Sequence, residues 1–181
     1  MNTYISMLRG INVSGQKLIK MDALRKLYEN MGFANVTTYL QSGNVIFTGD
    51  KLIPHELGQK ISQQIKAVFT FDVPVIVLPV DDLKQLINNN PFVNDTDKNK
   101  DYLYVSFLLS KLNTFDSKLL EDKIKDGEEF AIARNAVYLY CPHGYGNTKL
   151  NNNFWEAKLK TTATTRNWKT VNELYKLAVK R

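Results

Sequence analysis

One order of elements is legible twice along this chain. Strand, helix, two strands joined as a hairpin, helix, strand and helix read through residues 3–88 and again through 102–179. Corresponding elements lie about 90 residues apart. A repeat of this length and mixed type restricts the fold class to α+β, with two similar units.

The assignments rest on residue types. Met21, Leu24, Leu27, Tyr28 and Met31 recur at helical spacing, and Gly32 is placed to end that helix with a left-handed cap. Residues 35–41 and 44–48 are rich in Val, Thr, Tyr, Ile and Phe, and Ser42-Gly43 joins them as a hairpin. Pro54 suits the first turn of a second helix, with Leu57, Ile61, Ile65 and Val68 along one side. A buried strand over 73–78 and a small helix over 81–88 close the first half, and the polar stretch 88–100 reads as a linker. The second half then gives a strand over 102–109 and a helix over 115–125 with Leu119, Leu120 and Ile124 inward. A hairpin of 130–133 and 137–141 turns around Arg134-Asn135. A helix over 149–159, a short strand over 161–164 and a helix over 168–179 follow; Trp168, Val171, Leu174, Tyr175 and Ala178 form the apolar face of the last. The first six elements of each half have the order of the ferredoxin-like split βαβ unit. The expected architecture is two such units in tandem, their sheets antiparallel-containing with helices on one face. They divide as 1–91, a linker at 92–100, and 101–181.

With 44% hydrophobic and 23% charged residues, the 181-residue chain can fill such cores. No apolar run approaches the roughly 18 residues of a membrane span. The start of the chain has no signal-peptide pattern, and the single Cys141 cannot form an internal disulfide. A cytoplasmic protein away from membranes is expected. From Lys158 to Arg181 there are seven basic residues against Glu173, so this end carries the whole net charge of +6. It favours anionic partners, nucleic acid among them.

Four blocks carry a resemblance. Leu8-Arg9-Gly10-Ile11-Asn12-Val13-Ser14-Gly15, with Ile19-Lys20-Met21 after it, resembles the N-terminal signature of the uncharacterised bacterial family catalogued as domain of unknown function 1697. Tyr39-Leu40-Gln41-Ser42-Gly43-Asn44-Val45-Ile46-Phe47, Gly144-Tyr145-Gly146-Asn147-Thr148-Lys149-Leu150 and Thr165-Arg166-Asn167-Trp168-Lys169-Thr170-Val171 are similar to its later blocks. Ser14 stands where the family pattern has a glycine, and Asn147-Thr148 where it has Arg-Ser. The resemblance implies an α+β fold and no particular activity.

The residues point to binding more than to catalysis. Arg9 ends the first strand before a glycine-bearing polar loop, an arrangement suited to holding an anion. Arg166 is expected at a helix start, where the macrodipole disfavours a cation unless both meet one anion, with Asn167 as the cap. Trp168 is a core anchor or a pocket wall. Lys149 follows a glycine-bearing loop that departs from the P-loop spacing, and Gln41, Ser42 and Asn44 offer polar groups at a hairpin tip. The expected function is therefore binding of an anionic ligand, phosphorylated or nucleotide-like, between the two halves. Arg9, Asn12, Gln41, Ser42, Asn44, Lys149, Arg166, Asn167 and Trp168 are its residues.

Two alternatives stand beside it. Nucleic-acid binding would use the basic end and the alternating pairs Tyr102/Tyr104 and Tyr138/Tyr140, four tyrosines that share one sheet face if their strands are neighbours. An enzyme acting on a phosphorylated small molecule would need a base or nucleophile that the sequence does not make evident. Cys141 and His143 are a weak pair, His55 is a surface residue, and Asp81-Asp82 begins a helix. No metal or cofactor is expected; a homodimer is compatible with the sequence.

Overall fold

The computed structural model describes residues 1–112 and 124–180. In the first half the elements are β1 (Asn2–Leu8), α1 (Met21–Asn30), β2 (Ala34–Tyr39), β3 (Asn44–Gly49), α2 (Pro54–Phe69), β4 (Val75–Pro79) and α3 (Val80–Asn88). They are followed by β5 (Leu103–Leu108), β6 (Glu129–Ile132), β7 (Ala136–Tyr140), α4 (Asn152–Leu159), β8 (Ala163–Asn167) and α5 (Trp168–Val179). The helix expected over 115–125 falls almost wholly outside the described residues. The fold is α+β, with two four-stranded antiparallel sheets of order β2-β3-β1-β4 and β6-β7-β5-β8. The chain divides into two compact units, Met1–Gln85 with Glu173–Arg181, and Leu86–Asn172.

In the first unit β1 lies between β3 and β4, so Ser6 is opposite both Val45 and Val77. Alternation sends Tyr4, Leu8, Val45, Phe47, Val75 and Val77 to one face, where they pack with Leu24, Leu27 and Tyr28 of α1 and Leu57, Ile61 and Ile65 of α2. Each fully buried side chain of this kind contributes about 1.5–3 kcal/mol. The Tyr28 hydroxyl meets Ser6 Oγ at 2.8 Å, which satisfies both polar groups inside the core. A Cβ on Gly58 would stand 2.5 Å from the Val75 carbonyl oxygen, so α2 rests on β4 at a separation that only glycine allows. The α2 stripe runs Leu57, Ile61, Ile65, Phe69 at four-residue steps. Val68, expected on that side, is instead 59% exposed, because the next inward position after Ile65 is Phe69.

In the second unit β5 is central, with Ser106 opposite Val137 and Thr165. Tyr104, Leu108, Val137, Leu139, Phe130 and Ala163 share a face and pack with Leu150, Trp155 and Leu159. The buried Trp155 indole N–H donates to the Leu150 carbonyl at 2.8 Å. Two boundaries differ from expectation. α4 begins at Asn152, since Asn151 caps it by accepting from the Phe154 amide at 3.1 Å. The strand expected over 161–164 is Ala163–Asn167, where Ala163–Asn167 pairs with Tyr104–Leu108. The polar stretch before β5 is fastened to this unit. Lys98 Nζ bonds Asp95 at 2.7 Å and Glu129 at 2.8 Å, and lies over the rings of Phe92 and Tyr140.

The register also corrects the shared tyrosine face. Directly opposed residues of an antiparallel pair point to the same side. Tyr104 is opposite Leu139, whereas Tyr138 is opposite Val105 and Tyr140 opposite Leu103. Neighbouring strands thus carry their tyrosines to opposite faces. Tyr138 is buried and donates to the Leu86 carbonyl at 2.9 Å.

Candidate functional site

β1 delivers Arg9 to one end of the first sheet. The Leu8 amide donates to the Gly43 carbonyl at 2.8 Å and the Arg9 amide to the Pro74 carbonyl at 2.9 Å, so the strand's last residues are tied to both neighbours. Gly10 then turns the chain with φ at 73°. The loop that follows folds onto the β2–β3 link through one side chain. Asn12 Oδ1 accepts from the Ile19 amide at 2.8 Å, while its Nδ2 donates to the carbonyls of Ile19 at 3.0 Å and Gln41 at 2.8 Å. Asn44 fastens the link from below, donating to the Tyr39 carbonyl at 2.9 Å and to Ser42 Oγ at 3.1 Å. Buried Ile11 and Ile19 seal the loop. At Gly43, φ is +76° and a Cβ would sit 2.6 Å from Ile11 Cδ1 and 2.9 Å from Leu8 Cβ, so no other residue fits without displacement.

This end of the sheet concentrates unusual backbone. Gly10, Asn12, Ser14, Gly15, Lys17, Leu40 and Gly43 all have positive φ. For a side chain such as Leu40, at φ 59°, the left-handed region costs about 1–2 kcal/mol. Strain of this kind persists only where the surroundings over-determine it, and it gathers at functional sites. Arg9 is half-buried, Gln41 and Ser42 are exposed, and Lys17 Nζ donates to the Asp72 carbonyl at 2.6 Å. Arg9, Asn12, Gln41, Ser42 and Asn44 are thus gathered in one place. Asn12 and Asn44 act as its fasteners. Sequence reasoning overlooked Val13, Leu18 and Leu40, which are exposed here; the available signal was three apolar residues set among Asn, Ser, Gly, Gln and Lys.

The second unit places its expected residues differently. Arg166 is not at a helix start: it lies in β8 opposite Val105, and is 8% exposed. Its Nη1 donates to Thr164 Oγ1 and to the Thr165 carbonyl, both at 2.9 Å. Asn167 caps α5, its Oδ1 accepting from the Thr170 amide at 2.8 Å. Trp168 is buried, and Lys149 is exposed. The Gly144 loop is latched to β8. The Tyr145 ring lies on Tyr104, with centroids 5.2 Å apart, and its hydroxyl donates to Thr165 Oγ1 at 2.9 Å. Thr165 in turn donates to Asn152 Oδ1 at 2.6 Å and meets Ser106 Oγ at 2.7 Å.

Cys141 and His143 do not form a catalytic pair. Cys141 is buried; burial first, and then the Glu128 carboxylate, push its thiol up to about 12, although the Thr148 hydroxyl pulls the other way. A thiol in that state is a poor nucleophile. His143 is exposed and its Nε2 donates to the Asp126 carbonyl at 2.9 Å. His55 is exposed, as expected. Among the described residues, no group of three or more His, Cys, Asp or Glu side chains is arranged to hold a metal, and no helix is long and apolar enough to cross a membrane.

No curated protein matches this chain. Among solved structures, the conserved bacterial protein SP0830 from Streptococcus pneumoniae is similar, with a TM-score of 0.71 and 21% sequence identity over 98% of each chain. At that identity the likeness carries the fold alone. The family model described as "Protein of unknown function (DUF1697)" matches residues 1–138, a span that includes both the Arg9 loop and the β2–β3 link. The chain belongs to the DUF1697 family of proteins of unknown function.

Proposed function

We propose that this protein binds an anionic ligand, phosphorylated or nucleotide-like, through Arg9 and the loop after it. The observation that carries this reading is the triple hydrogen bond of Asn12, which fixes that loop against the β2–β3 link. A cation and the exposed polar residues Gln41 and Ser42 are thereby presented on a frame ordered before any ligand arrives, which lowers the entropy cost of binding. An arginine offers a planar fork of donors suited to phosphate or carboxylate. In the second unit Lys149 and Asn167 are exposed and stay candidates in the same reading, whereas Arg166 and Trp168 are buried and drop out of it; the protein is read as one of the cytoplasm.

The fold belongs to the proposal as well. Each unit is read as a ferredoxin-like split βαβ unit, the pair arising by duplication. Support comes from the equivalent strand orders, from Ser6 and Ser106 at the same register position, and from Tyr4-Ile5-Ser6-Met7-Leu8 beside Tyr104-Val105-Ser106-Phe107-Leu108. Nucleic-acid binding loses the shared tyrosine face and keeps only the basic C-terminal region as its motive.

A thermal-shift screen with nucleotides and phosphorylated metabolites, each against its dephosphorylated counterpart, tests the binding. A ligand at 100 times its Kd adds about 2.7 kcal/mol to stability. The shift is expected to require the phosphate and to vanish in Arg9→Ala. A shift that survives Arg9→Ala would refute the reading.

A further inference from the structure

The three residues that Asn12 ties together bring exposed apolar side chains with them. Asn12 itself precedes Val13, the Ile19 to which it bonds follows Leu18, and the Gln41 to which it bonds follows Leu40. Val13, Leu18 and Leu40 are 59%, 65% and 51% exposed. Chance scatter of surface apolar residues needs no explanation, but each of these three is the chain neighbour of a residue in one hydrogen-bonded hub. Leu40 is presented to solvent from a left-handed backbone, a conformation that glycine or asparagine would adopt with less strain. The fold has no use for this exposure, since the loop is already sealed from within by Ile11 and Ile19.

The charges of the same loops have one sign. Residues 9–20 and 40–43 contain Arg9, Lys17 and Lys20 and no acidic residue. The carboxylate of the neighbouring Asp72 is paired with Lys66 at 2.8 Å. Apolar side chains interleaved with cations complement a molecule that is anionic at one end and apolar at the other.

From this juxtaposition we infer that the ligand of the Arg9 loop is a soluble amphipathic anion, a phosphate or carboxylate carrying an apolar chain or ring, with the apolar part on Val13, Leu18 and Leu40. The inference rests on the anion-binding reading above and specifies its ligand class.

Titration of the full chain with inorganic phosphate and with ethyl, butyl and hexyl phosphate tests it, all below micelle-forming concentrations. Affinity is expected to rise about fourfold per methylene that reaches the apolar residues, the equivalent of about 0.8 kcal/mol. In Val13→Ser/Leu18→Ser/Leu40→Asn the dependence on chain length should flatten while ethyl phosphate binds as before. Asparagine tolerates the left-handed backbone at 40, so this variant is expected to fold. Equal affinity for all the phosphates would overturn the amphipathic ligand and leave anion binding standing. Chain-length dependence that is the same for uncharged alcohols and persists in Arg9→Ala would overturn the anion reading along with it. Binding to anionic phospholipid vesicles, with none of the soluble phosphates bound, would overturn the soluble ligand in favour of a lipid surface.

Discussion

β4 and β8 occupy the same place in their sheets. Each is an edge strand, each pairs antiparallel with the central strand of its unit, and each runs without a loop into a helix. Their sequences have little in common: Val75-Ile76-Val77-Leu78-Pro79 against Ala163-Thr164-Thr165-Arg166-Asn167. The place therefore demands a strand, and an apolar one suffices. β8 can be polar because each polar side chain has a specific use there. Thr165 links Tyr145, Asn152 and Ser106, Arg166 reaches the Thr164 hydroxyl and the Thr165 carbonyl, and Asn167 caps α5. The first unit keeps its last strand apolar and gathers polar and strained residues in the loop after its first strand instead. Similar frames thus carry their polar chemistry at different positions.

The largest effect is expected where the first unit's loop is packed most tightly. Gly43→Ala combines a left-handed backbone with a Cβ driven into Ile11 and Leu8, and should cost about 2–5 kcal/mol, a fall in Tm of about 5–15 °C. Gly127→Ala in the second unit meets only Pro142 Cγ at 3.4 Å and should cost about 1–2 kcal/mol. Equal losses at both positions in thermal melts would break the contrast.

Thr165→Val tests whether β8 must be polar. Valine already occupies the matching register position at Val77, so its shape suits the strand, but Asn152, Tyr145 and Ser106 lose their common partner. Denaturant unfolding should show a loss of about 1–3 kcal/mol. No loss would mean that the hydroxyl hub is dispensable. Tyr28→Phe removes the 2.8 Å bond to Ser6 in the first unit and should cost about 0.5–1.5 kcal/mol. A larger effect than at Thr165 would reverse the ranking of the two polar networks.

The smallest effect is a pH dependence. The folded Cys141 thiol ionises near 12, above its ordinary value, so the unfolded chain releases its proton first as pH rises. The stability this burial contributes is complete below about pH 8.5 and declines above it. Between pH 8 and 9.5, Cys141→Ala should remove the part of the decline in unfolding free energy that the thiol causes. A decline of unchanged slope would assign it to another group.

Much of the frame was legible from local pattern. The α1 stripe, the Gly32 stop and the Asn167 cap each follow from spacing or from side-chain chemistry at a helix end. Parity across strands was not legible. Tyr104 and Tyr138 alternate correctly within their own strands, yet which of them share a face depends on a register fixed by the hairpin, and a one-residue slip reverses it. Arg166 failed as a helix-start residue for a related reason: β8 runs three residues further than expected, to Asn167, because Thr165 within it is satisfied by partners distant in sequence. In the candidate site, Arg9 and Asn12 stood out by type, whereas Leu40 and Gly43 became informative only through φ and the space around them.

The most direct test of the central claim is calorimetric titration of one phosphorylated ligand from the screen into the wild-type protein, Arg9→Ala and Arg9→Lys. Removal of a charge-assisted contact of about 1.5–3 kcal/mol should weaken binding by roughly ten- to 150-fold in Arg9→Ala. Arg9→Ala should remain folded at the temperature of the titration, and Arg9→Lys should recover part of the affinity. Unchanged affinity in Arg9→Ala would contradict an anion site at the end of β1.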